Sequence, residues 1–173
     1  VNARVPTNSI ERSSGGDWIH VREPGWFAAD MPAAPRESVR NDRYWKGGLQ
    51  YKEVLVDTSN QANGLLCSIR YLEVVDTGDA EKLVAFAAQR YEQEPPPGAT
   101  VHSAPVTAGG APATEISMRV EPGSAKNAAP VAVATRVRLL AVRSRVLQLE
   151  CSAPADQPTG CDRFFDAFHL DRA

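Results

Sequence analysis

Two stretches decide the fold class. One is Asp79-Ala-Glu-Lys-Leu-Val-Ala-Phe-Ala-Ala-Gln-Arg-Tyr91; the other is Val131-Ala-Val-Ala-Thr-Arg-Val-Arg-Leu-Leu-Ala-Val142 with Arg145-Val-Leu-Gln-Leu-Glu-Cys151. The first places Leu83, Val84, Ala87, Ala88 and Tyr91 at three- and four-residue spacing, with Glu81, Lys82, Gln89 and Arg90 opposite, so it predicts an amphipathic helix. Asp79 is the expected N-cap, and Pro95-Pro-Pro-Gly98 stops the helix because proline has no amide hydrogen to donate. That tract reads as a stiff connector, with a polyproline ligand as the competing reading. The second stretch reads as a hairpin turning at Arg143-Ser144.

Further strands surround these elements. Trp18 to Arg22 and Trp26 to Met31 are short apolar runs split by the turn signal Glu23-Pro-Gly25. Leu49 to Thr58 alternates, setting Gln50, Lys52, Val54 and Val56 against Leu49, Tyr51, Glu53 and Leu55. Leu65 to Val75 follows, with Leu65, Cys67, Ile69 and Tyr71 as its more apolar, core-facing set. Thr100 to Thr107 and Ala113 to Glu121 form an antiparallel pair around Gly109-Gly110, and Glu115 is expected to pair with Arg138 or Arg119 on a neighbouring strand. Phe164, Phe165 and Phe168 fall on one face of a closing helix and are assigned to the core. The expected architecture is α+β: a central, mostly antiparallel sheet of about six or seven strands flanked by helices. Residues 1–16, with Ser13-Ser-Gly-Gly16, read as a flexible tail, and 17–173 as a single domain.

Composition narrows the function classes. The chain has 173 residues, 43% of them hydrophobic and 23% charged, which is globular rather than disordered. A formal net charge of −2 lacks the basic excess of a nucleic-acid binder. Arg136, Arg138, Arg143 and Arg145 alternate with apolar residues and read as the solvated face of the hairpin. No run reaches the roughly 20 apolar residues needed to span a bilayer. The start, Val1-Asn-Ala-Arg-Val-Pro6, has no initiator Met and no signal-like run, as expected where an export signal has been removed or the chain trimmed; an anchor in a segment not present here stays open.

The cysteines and the polar residues leave little room for catalysis. Cys67, Cys151 and Cys161 match no zinc or redox-pair spacing. Cys151 and Cys161 bracket a nine-residue loop that a disulfide would staple, in an oxidising compartment; three reduced core thiols are the other reading. His20, His102 and His169 are far apart in sequence, and no nucleophile-elbow, zincin or phosphate-loop pattern accompanies them. No catalytic residue, metal ligand or cofactor is therefore assigned. Arg43, Tyr44 and Trp45, in the charged run Arg36 to Lys46, are the candidate partner-binding residues, because aromatic and arginine side chains dominate binding hot spots. Packing of Trp45 against the sheet is the competing reading.

Taken in order, Trp26-Phe-Ala-Ala-Asp-Met-Pro32, Gly109-Gly-Ala-Pro-Ala-Thr-Glu115 and Asp162-Arg-Phe-Phe-Asp-Ala-Phe168-His-Leu170 resemble a family of exported bacterial proteins of unknown function with a PsbP-like fold. That fold is similar to the photosystem II extrinsic subunit PsbP and to a Ran-binding nuclear-import factor. The resemblance covers about Trp18 to Leu170. It implies an antiparallel sheet sandwiched by helices (α/β/α) and a non-enzymatic accessory role. The expected protein is periplasmic or otherwise extracytoplasmic and binds another protein, as a subunit or assembly factor of an envelope or membrane-associated complex. The alternative is a small-ligand or lipid carrier with a pocket between sheet and helix.

Overall fold

The computed structural model describes residues 2–41, 49–57, 64–123, 130–157 and 159–171. Twelve strands and two helices are formed among them. In chain order they are β1 (Ala3–Arg4), β2 (Glu11–Gly15), β3 (Trp18–Glu23), β4 (Phe27–Met31), β5 (Arg36–Asn41), β6 (Gln50–Val56) and β7 (Leu66–Val74). Then come α1 (Thr77–Gln93), β8 (Ala99–Ala108), β9 (Ala111–Val120), β10 (Val133–Val142), β11 (Arg145–Pro154), α2 (Asp162–Ala167) and β12 (His169–Leu170).

The large sheet has eight strands in the order β5-β6-β7-β11-β10-β9-β8, with β1 paired to β7, and all its pairings are antiparallel. A second, four-stranded antiparallel sheet runs β12-β4-β3-β2. The α+β class stands, but the expected helix-flanked sandwich is corrected. One face of the large sheet carries α1; the small sheet and the short α2 pack on the other. The reason lies in the first 31 residues. Residues expected as a tail supply β1 and β2, and Ile10 between them is buried. With β2 available, β3 and β4 close a sheet of their own instead of extending the large one.

Each face of the large sheet has its own core. Leu72, Val74, Ile116, Val137, Leu139 and Val146 meet Ala80, Leu83 and Ala87 of α1. On the other face Val54, Cys67, Ile69, Tyr71, Leu147 and Leu149 meet Val21, Phe27, Met31, Phe164 and Phe165. Central strands are therefore covered on both sides, as the near-continuous burial of β6 and β7 shows.

The helix begins one turn earlier than expected. Asp76, not Asp79, is the N-cap, and its carboxylate accepts from the Gly78 amide at 2.8 Å. Asp79 lies in the first turn, where the helix dipole favours a negative charge. Gly78, a weak helix former, masks the true start.

The turn between β8 and β9 needs its two glycines. Gly109 and Gly110 both have positive φ, 58° and 87°, as a two-residue hairpin turn of type I′ requires. A Cβ on Gly109 would lie 2.9 Å from both the Leu170 amide nitrogen and a Phe168 ring carbon, whereas one on Gly110 meets nothing within 4 Å. Gly110→Ala should cost about 1–2 kcal/mol, the left-handed backbone penalty alone. Gly109→Ala should cost clearly more, because the C-terminal segment must also move. Paired urea titrations check the order, and equal losses would mean the turn does not pin residues 168–170.

Candidate functional site

The sheet face beneath α1 is apolar at its centre and polar beyond it, and a groove opens at that change. Under the middle of the helix, Leu83 rests among Leu72, Val137, Leu139 and Val146. One row further on, β7 and β11 present Arg70, Gln148 and Glu150, and the buried residue of the helix there is the small Ala87. The result is a groove of about 480 Å³. Its helical wall is Ala87, Arg90 and Tyr91, continued by Glu94 and Pro95 to Pro97; its floor is Arg70, Met118, Thr135, Gln148 and Glu150. The proline tract, expected as a connector, forms the rim.

A charge ladder four strands wide underlies the floor. The Arg40 guanidinium meets Glu53 at 2.9 Å, Arg70 donates to the second Glu53 oxygen at 2.7 Å, and Arg70 also reaches Glu150 at 3.2 Å. Gln148 donates to Glu150 at 3.4 Å and to the Tyr91 hydroxyl at 3.1 Å. Burial opposes the charge on Arg70, but Glu150 and Glu53 more than offset it, and the guanidinium holds its proton more firmly than usual. Glu53 is buried on its strand. Both carboxylates are paired with guanidiniums. What the floor offers a ligand is hydroxyl, amide and apolar surface, with the charges already compensated. Beside it, Ser68 is fully buried and its Oγ makes no hydrogen bond.

On the opposite face a buried ion pair joins the two sheets. Lys52 of β6 contacts Glu23 of β3 at 2.9 Å and Glu37 at 3.2 Å, and the Tyr71 hydroxyl donates to the same Glu23 oxygen at 2.8 Å. Burial, and after it the charge of Glu23, push the Tyr71 hydroxyl well above its ordinary value. The four arginines expected on a solvated hairpin face divide between two roles. Arg136 and Arg138 stack on the Phe165 ring at 4.7 and 4.6 Å and pair with Asp162 and Glu115, and Arg145 stacks on Trp26 at 4.7 Å. These three clamp α2 and the small sheet rather than facing water, because cation–π contact rewards a guanidinium laid flat on a buried ring. Arg143, at the turn with φ 56°, takes no part. Glu115 meets Arg138, directly across the β9–β10 ladder, at 2.7 Å.

A second, shallower hollow of about 420 Å³ lies on the small-sheet side of β8 to β11, where His102, Ala134, Arg136 and Gln157 surround Cys151 and Cys161. Cys151 and Cys161 are bridged, with Cα atoms 5.8 Å apart, and Cys67 is free and buried.

The remaining candidates are placed as follows. Arg43, Tyr44 and Trp45 lie outside the described residues. His20 pairs with Asp30 at 3.1 Å, His169 contacts the Ala167 carbonyl at 3.1 Å, and His102 faces the hollow. Partial burial raises the Asp30 carboxyl, but hydrogen bonds from His20 and Arg163 outweigh it and hold the group below its ordinary value. Among the described residues no three His, Cys, Asp or Glu side chains gather as a metal site. No helix among them is long and apolar enough to cross a membrane. The groove residues Arg70, Gln148 and Glu150 went unrecognised in the sequence, although Arg70 stands in the row of Leu66, Ser68 and Leu72, where a charge is out of place.

Comparison with known proteins adds a distant likeness in fold. No family model matches the chain, and no curated protein matches it. Among solved structures, a crystal structure of LpqN, described as involved in cell envelope biogenesis of Mycobacterium tuberculosis, is similar. It shares 15% identity at a TM-score of 0.43, covering 94% of this chain and 92% of that one. At that score the likeness transfers neither family nor function, and the PsbP-like resemblance has no family match behind it.

Proposed function

We propose that this chain is an exported, non-catalytic binding protein whose ligand lies in the groove between α1 and the large sheet. The observation that carries the reading is the groove itself. At about 480 Å³ it falls in the range of small-molecule sites, and a wall of Ala87, Tyr91 and the prolines, with Arg90 and Glu94 paired to each other, meets a floor of pre-paired polar groups. Such a floor suits an uncharged amphipathic molecule: hydroxyls or amides on Thr135 and Gln148, a hydrocarbon or ring face on Ala87, Met118 and the prolines. The Cys151–Cys161 bridge supports an extracytoplasmic compartment.

The test is amide-resolved NMR with a panel of neutral alkyl glycosides and short-chain monoacylglycerols. Binding should move the resonances of Ala87, Tyr91, Met118, Thr135 and Gln148. Thr135→Trp, which fills the groove from the sheet, should weaken binding at least tenfold with the circular dichroism unchanged. Shifts elsewhere, or undiminished binding to Thr135→Trp, would remove the groove as the site.

A second reading, an accessory subunit or assembly factor that binds a protein of the envelope or its membrane, is favoured by β5. This strand forms one edge of the large sheet, carries an exposed Val39 (53%) and leads directly into Arg43, Tyr44 and Trp45. An affinity pull-down from native membranes that returns no stable partner counts against it.

A further inference from the structure

Cys151 has two sulfur neighbours. It is bonded to Cys161, and the Cys67 Sγ stands 2.6 Å from its own Sγ. The contact follows from the backbone: Cys67 on β7 and Cys151 on β11 are directly opposed in the antiparallel ladder. Opposed residues in such a ladder have Cα atoms about 4.5–5.5 Å apart, which is within the span of a disulfide. Either bridge therefore fits the same backbone, and a thiol already touches a disulfide sulfur.

We propose that Cys67 displaces Cys161 from Cys151, so that the chain interconverts between a Cys151–Cys161 form and a Cys67–Cys151 form and places its free thiol at Cys161. The Cys67 thiol gives up its proton, and its thiolate sulfur bonds to the Cys151 sulfur. The Cys151–Cys161 bond breaks, and its electron pair leaves on the Cys161 sulfur, which takes up a proton. One disulfide and one thiol are present before and after, so neither oxidant nor reductant is consumed.

The surroundings define where the exchanged thiol would stand. Cys67 is fully buried within the sheet, whereas Cys161, 4% exposed, stands at the edge of the hollow beside Gln157. Exchange thus moves the thiol from the sheet interior to the wall of the hollow, beside the short α2. The helix that follows Cys161 does not need the bridge to hold its place. Phe164 and Phe165 are buried, two guanidiniums cover Phe165, and Arg136 pairs with Asp162 at 2.5 Å. In the ladder Cys67 is flanked by Val56 and Cys151, and Glu150 is the charged group acting on it. Burial first, and then that charge, push the thiol up, so the exchange runs slowly near neutrality and faster in alkali.

The test maps thiols in the full chain after incubation in an alkaline glutathione redox buffer. Samples are quenched in acidic denaturant, which stops exchange, then alkylated with maleimide and digested for mass spectrometry. Label on Cys161 together with a Cys67–Cys151 cross-linked peptide is expected in the unmutated chain. Cys161→Ser, which removes the competing partner, should form the Cys67–Cys151 bridge, and Cys67→Ser should leave Cys161 unlabelled. Label confined to Cys67 in the unmutated chain would overturn the proposal, and so would a folded Cys161→Ser variant that keeps two thiols in the same buffer. The first of these needs no mutant to fold.

Discussion

Lys52→Met should lower the unfolding free energy by about 3–5 kcal/mol, the usual cost of leaving one member of a buried ion pair without its partner. The Lys52 and Glu23 side chains are 6% and 1% exposed, so water screens neither charge. Lys52 also donates to Glu37 and the Asn8 carbonyl, and its loss takes this donor from acceptors on three segments at once. Against a total stability of about 5–15 kcal/mol, such a loss leaves a marginal protein. A second substitution separates charge from packing. Glu23→Gln in the Lys52→Met background keeps an acceptor for the Tyr71 hydroxyl and removes the orphaned charge, so it should recover more than half of the loss. Urea titrations of the single and double variants provide the measurement. A single-variant loss under about 1 kcal/mol would show that water reaches this pair and that it does not dock the two sheets.

Phe27→Ala should cost a similar amount, about 3–5 kcal/mol, for a different reason. Phe27 is fully buried, stands edge-on to Tyr71 with centroids 5.1 Å apart, and lies 6.0 Å from Phe168. Its backbone neighbour across the ladder is Leu170 of β12. One ring thus touches the large sheet, the small sheet and the C-terminal segment, so the cavity left by alanine has no single wall that can collapse to fill it. The urea midpoint should fall while the dependence on urea stays unchanged, because the surface exposed on unfolding is the same. Fluorescence and circular dichroism should still report one transition. If, in a Trp45→Phe background that leaves Trp18 and Trp26 as the only tryptophans, fluorescence moved ahead of circular dichroism, the small sheet would be unfolding separately from the large one.

Most elements were legible because side-chain period is a local property. Alternation located β6 to β11 within a few residues, and three-and-four spacing located α1 together with its buried face of Leu83 and Ala87. That Glu115 needs a cross-strand arginine was also legible, with Arg138 and Arg119 as the candidates; the β9–β10 register selects Arg138. The flanks of helix and sheet were less so. Gly78 hid the first turn of α1. Residues 3–4 and 11–15 looked like tail because their short polar runs carry no periodic signal, and they become strands by pairing with β7 and β3.

The site was harder to read than the fold. Lys52 stood in the same alternating row as Val54 and Val56, a visible clue to a buried charge, but its partner Glu23 lies 29 residues away on a different sheet. Arg70 and Glu150 are 80 residues apart and meet only because β7 and β11 are neighbours. The groove above them follows from the same pairing, since its floor is drawn from β7, β9, β10 and β11 at once.

By itself, then, the sequence determined the α+β class, the amphipathic helix, the long hairpin and the aromatic closing turn, all of which depend on spacing along one segment. Only the tertiary structure decided that a second sheet, not a second helical layer, covers the far face. It alone brought Cys67 against the Cys151–Cys161 bridge and opened the groove at the end of α1. Those features depend on which strands become neighbours, and that is settled by burial summed over the whole chain rather than by any pattern within a single element.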